Sequence, residues 1–173
     1  LAELIKIDVK SIGVGQYQHD MPQNRLTEVL EGVVEDCVNS VGVDLNTASV
    51  SLLSYVSGLN QGIAKNIVEF RKANKSFSSR EQLLKVPKLG AKAYEQCAGF
   101  LRIVGSKNVF ENTGVHPESY EAAKKLLALF GLGEEDVKNN NLTSLPLLVK
   151  NIGESEVAKK IGVGVPTLVD MIK

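Results

Sequence analysis

The sequence contains no tryptophan, and aromatic residues make up only 5% of its 173 positions. Two cysteines, Cys37 and Cys97, lie far apart, and the two histidines, His19 and His116, stand alone. A disulfide framework or a metal knuckle needs more than this, so no metal is expected. There is no Walker-type phosphate loop, no Cys-x-x-Cys and no His-x-x-x-His, so no cofactor and no small-molecule substrate are expected either. No apolar run approaches the ~18–20 residues that cross a bilayer, and a membrane partner is not expected. The chain starts at Leu1 with neither a basic n-region nor a cleavage site, and reads as an excised piece of something longer. Hydrophobic residues at 43% and charged residues at 23% are ordinary for a folded globular chain, and the sparse cysteines fit a reducing, cytoplasmic setting.

Net charge is also lacking, with 20 bases against 20 acids, but the balance is uneven along the chain. Residues 1–49 carry −5, residues 50–104 carry nine bases against three acids (+6), and residues 105–173 carry −1. A basic middle between acidic flanks suits either an anionic partner or a solvated basic face.

Apolar residues Leu26, Val29, Leu30, Val33, Val34, Cys37, Val38 and Val41 recur at helical spacing. They predict an amphipathic helix from Asn24, as N-cap, to Gly42, as C-terminal stop. Beyond it, two similar units align at an offset of 30: Leu53 over Leu83, Val56 over Val86, Leu59 over Leu89, Phe70 over Phe100. Each reads as helix, tight turn, helix. In the first, Asn46-Thr47 caps a helix to about Tyr55, residues 56–60 turn, and Gln61 to about Ala73 is helical. In the second, Arg80–Lys85, a turn over 86–90 and a helix over Ala91–Gly99 follow. Phe77 anchors the loop between them. Leu53, Leu59, Ile63, Ile67, Leu83, Leu89, Ala93 and Cys97 are the expected shared core. Cys37 and Cys97 both read as small buried hydrophobes. Residues 105–116 read as a linker. Short helices are expected from Pro117 to about Phe130 and over 134–138, 142–149, 154–160 and 165–172, giving an all-α protein without a substantial sheet.

The two turns resemble the helix–hairpin–helix motif, in which an apolar-x-Gly-apolar-Gly turn joins two short helices. Glycine permits left-handed backbone there, and amides at the start of the second helix point at a phosphate. Such contacts ignore base identity. The first unit keeps Gly58 and has Asn60 for its second glycine; the second has Lys88 for its first and keeps Gly90. The expected nucleic-acid-binding residues are Ser57, Gly58, Leu59, Asn60, Gln61 and Lys65 in one unit, and Lys88, Leu89, Gly90, Ala91 and Lys92 in the other. Gly162 and Gly164, after Lys159-Lys160, make a further candidate phosphate turn. The Gly131-Leu132-Gly133 turn precedes Glu134, Glu135 and Asp136, whose carboxylates would repel an anion, so it reads as structural or protein-binding. The Ile12–Gly15 turn follows no helical pattern. A catalytic aspartate of the helix–hairpin–helix glycosylases is missing, since residues 90–133 contain no Asp, and no enzyme is expected.

Residues 10–20, 34–39, 41–49, 95–103 and 113–120 resemble the bacterial Tex family of transcription accessory proteins, and the resemblance covers essentially the whole chain. It implies an RNase-H-like domain ending near residue 23, a connecting helix over 24–46, tandem helix–hairpin–helix units over 47–104, a linker, and a second domain of similar hairpins over 117–173. It also implies non-specific DNA or RNA binding, a partner in the transcription machinery and, in full-length members, an OB-fold RNA-binding domain beyond this region. Competence-type DNA receptors are similar in the hairpins alone. The other reading of the residues is a scaffold whose degenerate hairpins pack helices and position neighbouring domains.

Overall fold

The computed structural model describes Gly13 and residues 17–172. The expected turn at Ile12–Gly15 therefore lies outside the described residues, apart from Gly13. The chain divides into two units, one ending at Ile103 and the other beginning at Val104.

The first helix among the described residues is α1, Gln23–Val41, which starts one residue before the expected cap; Asn24 lies inside the helix and Pro22 precedes it. Gly42, at φ +80°, ends the helix while donating its amide to Val38 O at 2.9 Å. Strand β1, Val43–Asp44, follows and pairs in parallel with β2, Leu101–Arg102, through Val43↔Leu101 and Asp44↔Arg102. This two-residue ladder ties the two ends of the hairpin region together. Helices α2 (Val50–Ser54), α3 (Gln61–Asn74) and α4 (Ala91–Cys97) then pack around one core holding Leu53, Ile67, Leu83, Cys97 and Leu101.

Several sequence expectations need correcting here. Helix α2 starts at Val50, and Ser49 caps it by accepting from Leu52 N at 3.1 Å. Asn46 instead holds Phe77 at both backbone atoms, accepting from its N–H at 2.8 Å and donating to its carbonyl at 3.0 Å. That bridge seats the buried Phe77 ring on Phe70, centroids 5.2 Å apart. Residues 80–85 form a 3-10 helix, and α4 ends at Cys97 before a 3-10 turn over Ala98–Phe100. Ala93 is half-buried, and its neighbour Tyr94 takes the buried place.

The apolar stripe of α1 is largely uncovered. Leu26 and Val38 are buried, but Val29, Val33 and Val41 are 56%, 53% and 62% exposed. Val38 faces the core, so Cys37, turned about 100° from it, is exposed rather than buried. Cys97 is buried as expected, and that burial pushes its thiol up to about 12.

The second unit contains α5 (Tyr120–Leu129), α6 (Glu134–Lys138), α7 (Leu145–Ile152), α8 (Glu154–Ile161) and α9 (Val165–Met171). Prolines lie in the first turns of α7 and α9, where the missing N–H costs nothing, and Pro146 accounts for α7 starting at Leu145 rather than Leu142. The segment 105–116, expected as linker, belongs to this unit's core. Asn108 caps a 3-10 turn over Val109–Asn112, and buried Phe110 stacks on Tyr120 at 5.5 Å. His116 caps the next 3-10 turn, Pro117–Ser119, which leads into α5.

Candidate nucleic-acid interface

The two hairpins share one hydrogen-bond pattern at the 30-residue offset. Val56 N and Val86 N donate to Leu53 O and Leu83 O at 3.1 and 2.9 Å. Leu59 N and Leu89 N donate to Val56 O and Val86 O at 3.0 and 3.2 Å. Ala64 N and Tyr94 N then open α3 and α4 by donating to Asn60 O and Gly90 O. Left-handed backbone falls at equivalent positions, Gly58 at φ +80° and Lys88 at φ +67°.

That geometry separates the two glycine positions of the motif. The first needs positive φ, so Lys88 carries a strain of about 1–2 kcal/mol that glycine would not. The second does not. Gly90 has φ −82° and Asn60 has φ −114°, so neither residue is left-handed. Asn60 is the N-cap of α3, its Oδ1 accepting from Ile63 N at 2.9 Å.

Not every expected donor is available. Ser57 N donates to Asn39 Oδ1 at 3.1 Å, and its counterpart Pro87 has no N–H. The amides of Leu59 and Leu89 close the turns, and both side chains are buried. The amides of Gln61, Ala91 and Lys92, at the helix starts, donate to no partner among the described residues. Asn39 was not legible as part of a hairpin: it is polar, on a helix, and 18 residues from its partner.

The hairpins also clasp each other. A Cβ on Gly58 would lie 2.6 Å from Gln96 Cβ and 3.2 Å from Ala93 O, so the first turn packs directly on α4. In return, Asn66 of α3 donates to Pro87 O of the second turn at 2.7 Å. Asn66 and Gln96 are themselves 30 positions apart, so equivalent residues hold opposite turns. Gly90 meets nothing within 4 Å and leaves the second turn open.

Charge sorts by residue type. All three arginines of the basic segment bind backbone carbonyls: buried Arg80 reaches Ala98 O at 2.8 Å, Arg71 reaches Leu45 O and Ala48 O, and Arg102 reaches Gly99 O at 2.6 Å. The six lysines, 65, 72, 75, 85, 88 and 92, are exposed, and none is in an ion pair among the described residues. Lys65 lies on α3; Lys85, Lys88 and Lys92 surround the second turn. Of the nine bases in this segment, six are therefore open to an anionic partner or to solvent.

In the second unit, Gly131 is at φ +68°, and Gly133 N donates to Asp136 Oδ2 at 2.8 Å. The acidic turn thus fills its amide with its own carboxylate. Gly162 takes the left-handed conformation and Gly164 precedes α9; both are exposed, and Lys160 pairs with Glu156 at 2.9 Å.

Comparison with known proteins agrees with this geometry. A model described as "Helix-hairpin-helix motif" matches residues 38–102, and one described as "HHH domain" matches residues 108–173. The chain is 52% identical over 172 residues to the transcriptional accessory protein Tex of Neisseria gonorrhoeae, covering 99% of this chain and 22% of that protein. It is 51% identical to protein YhgF of Escherichia coli over 100% of this chain and 22% of that protein. The chain belongs to the Tex family. A human relative, "S1 RNA-binding domain-containing protein 1", is 56% identical over 60% of this chain and 10% of its own length. This Tex-family segment spans about a fifth of the bacterial relatives it matches. It is all-α, with tandem helix–hairpin–helix units and a second helical unit of hairpins. No described helix is long and apolar enough to cross a membrane.

Proposed function

We propose that this segment is a nucleic-acid-binding module of a cytoplasmic transcription accessory protein, gripping the phosphate backbone of DNA or RNA without sequence preference. The observation that carries the reading is the matched pair of turns: each leads into a helix start with unused amides, and exposed lysines lie beside both. Gln61, Ala91 and Lys92 supply backbone donors, and Lys65, Lys88 and Lys92 supply charge. Leu59 and Leu89 shape the turns rather than touch a ligand, Ser57 is held by Asn39, and the amides of Gly58, Asn60 and Gly90 add backbone donors beside the helix starts. Gly162 and Gly164, beside exposed Lys159, form a subsidiary contact. The two free cysteines suit a reducing cytoplasm. The printed names of the relatives supply the transcriptional setting, and the contact is binding rather than catalysis.

A second reading, a scaffold that positions neighbouring domains, is favoured by one observation: the first turn packs on α4 at Gly58 and leaves no room for a side chain. Fluorescence anisotropy with labelled single- and double-stranded DNA and RNA separates the two. Binding to all, strengthened at low salt and indifferent to sequence, is the expected result. No binding to any of them at low salt overturns the proposal in favour of the scaffold.

A further inference from the structure

Each turn is tethered by one asparagine carboxamide from a helix outside its own hairpin. Asn39 of α1 accepts from Ser57 N at 3.1 Å and its Nδ2 reaches Tyr55 O at 3.5 Å. Asn66 of α3 donates to Pro87 O at 2.7 Å. Asn39 is half-buried, and its two contacts lie on either side of Val56, so the carboxamide holds the entry to the turn as a unit. Short hairpins need such help: a turn closed by two hydrogen bonds and carrying left-handed backbone has alternatives close in energy. Neither asparagine is explained by helix propensity, since asparagine is a poor helix former. The tethers run in series, from α1 to the first turn and from the helix after that turn to the second.

We propose that Asn39 and Asn66 are positioning residues that hold the two turns in their phosphate-binding orientation, so that α1 and both hairpins act as one mechanical unit. The proposal rests on the phosphate-binding reading above. It contacts no phosphate itself; its effect is preorganisation, which lowers the ordering cost of binding.

The test uses the full 173-residue chain with Asn39→Leu, Asn66→Leu and Asn39→Asp. Hydrogen exchange without nucleic acid reads the tether alone. The Ser57 amide is expected to exchange about tenfold faster in Asn39→Leu, the loss of roughly one net hydrogen bond. It keeps more of its protection in Asn39→Asp, which preserves the acceptor for Ser57 N but loses the Nδ2 donor to Tyr55 O. Duplex affinity, measured on folded protein at several salt concentrations, should fall several-fold in Asn39→Leu and Asn66→Leu with a shallower salt dependence. Unchanged Ser57 exchange in Asn39→Leu overturns the tether. Changed exchange with wild-type affinity and salt dependence overturns positioning. An affinity loss that only tracks a reduced folded fraction assigns the asparagines to stability and overturns it as well. Failure of the underlying reading shows separately, as wild-type protein that binds no duplex.

Discussion

Replacing Gly58 by alanine tests the clasp between the hairpins, because two independent costs meet at that position. At φ +80° an alanine sits in the left-handed region, at a cost of about 1–2 kcal/mol. Its Cβ would also lie 2.6 Å from Gln96 Cβ and 3.2 Å from a backbone carbonyl of α4, closer than packed atoms tolerate. Gln96 Cβ is bound directly to the helix backbone and cannot swing aside as a side-chain tip could. Forcing α4 back adds an overpacking cost of about 1–3 kcal/mol. Gly58→Ala should therefore destabilise the first unit by roughly 2–5 kcal/mol. Gly90→Ala is the control: at φ −82°, with nothing within 4 Å of its Cβ, its gain through the unfolded state is offset by the poorer N-cap it gives α4, and it should lie within about 1 kcal/mol of wild type. Urea unfolding of both variants, followed by circular dichroism with hydrogen exchange to separate the two units, gives the comparison. If Gly58→Ala lies within about 0.5 kcal/mol of wild type, the scatter of an ordinary surface change, the close approach of turn and helix is wrong.

Lys88→Gly should stabilise the first unit by about 1 kcal/mol while weakening nucleic-acid binding, a split that urea melts and anisotropy together detect. A thiol reagent at pH 8 should modify one cysteine per folded chain, exposed Cys37, with Cys97 reacting only on unfolding. Because the Cys97 thiol is pushed up to about 12, the unfolded chain ionises it first, so its contribution to stability is lost as pH rises from the ordinary thiol value toward 12. Asp136→Ala removes the carboxylate that accepts from Gly133 N and should cost the second unit about 1 kcal/mol, read by its urea transition.

What was legible in the sequence was whatever periodicity and turn chemistry carry. The 30-residue offset foretold the duplicated turn bonds, and the helix over residues 61–74 followed from its apolar spacing. Burial was less legible. The α1 stripe has the right period, yet a period says only that a face can be buried, and Val29, Val33 and Val41 have nothing over them among the described residues. Long-range polar contacts were not legible at all. Asn46 reads as a helix cap by position, but 31 residues away Phe77 offers both a donor and an acceptor and wins it. Arg80 reads as surface charge, and its wholly buried guanidinium on Ala98 O and Leu101 O shows why arginine and lysine should not be counted together. Asn60 stands in the sequence where the motif has glycine, but its role in the structure is to cap α3 through Oδ1.

The most direct test of phosphate binding is the salt dependence of duplex affinity for wild type and for the triple variant Lys65→Glu, Lys88→Glu, Lys92→Glu, with circular dichroism as the folding control. Each duplex phosphate neutralised contributes a slope of about −0.9 in log affinity against log salt, so three lysines predict a slope near −3 for wild type. The triple variant should stay folded, because exposed charges contribute little to stability, and should bind weakly with a flattened slope. A folded triple variant that binds as tightly as wild type, with the same slope, would contradict the account and leave the hairpins as scaffold.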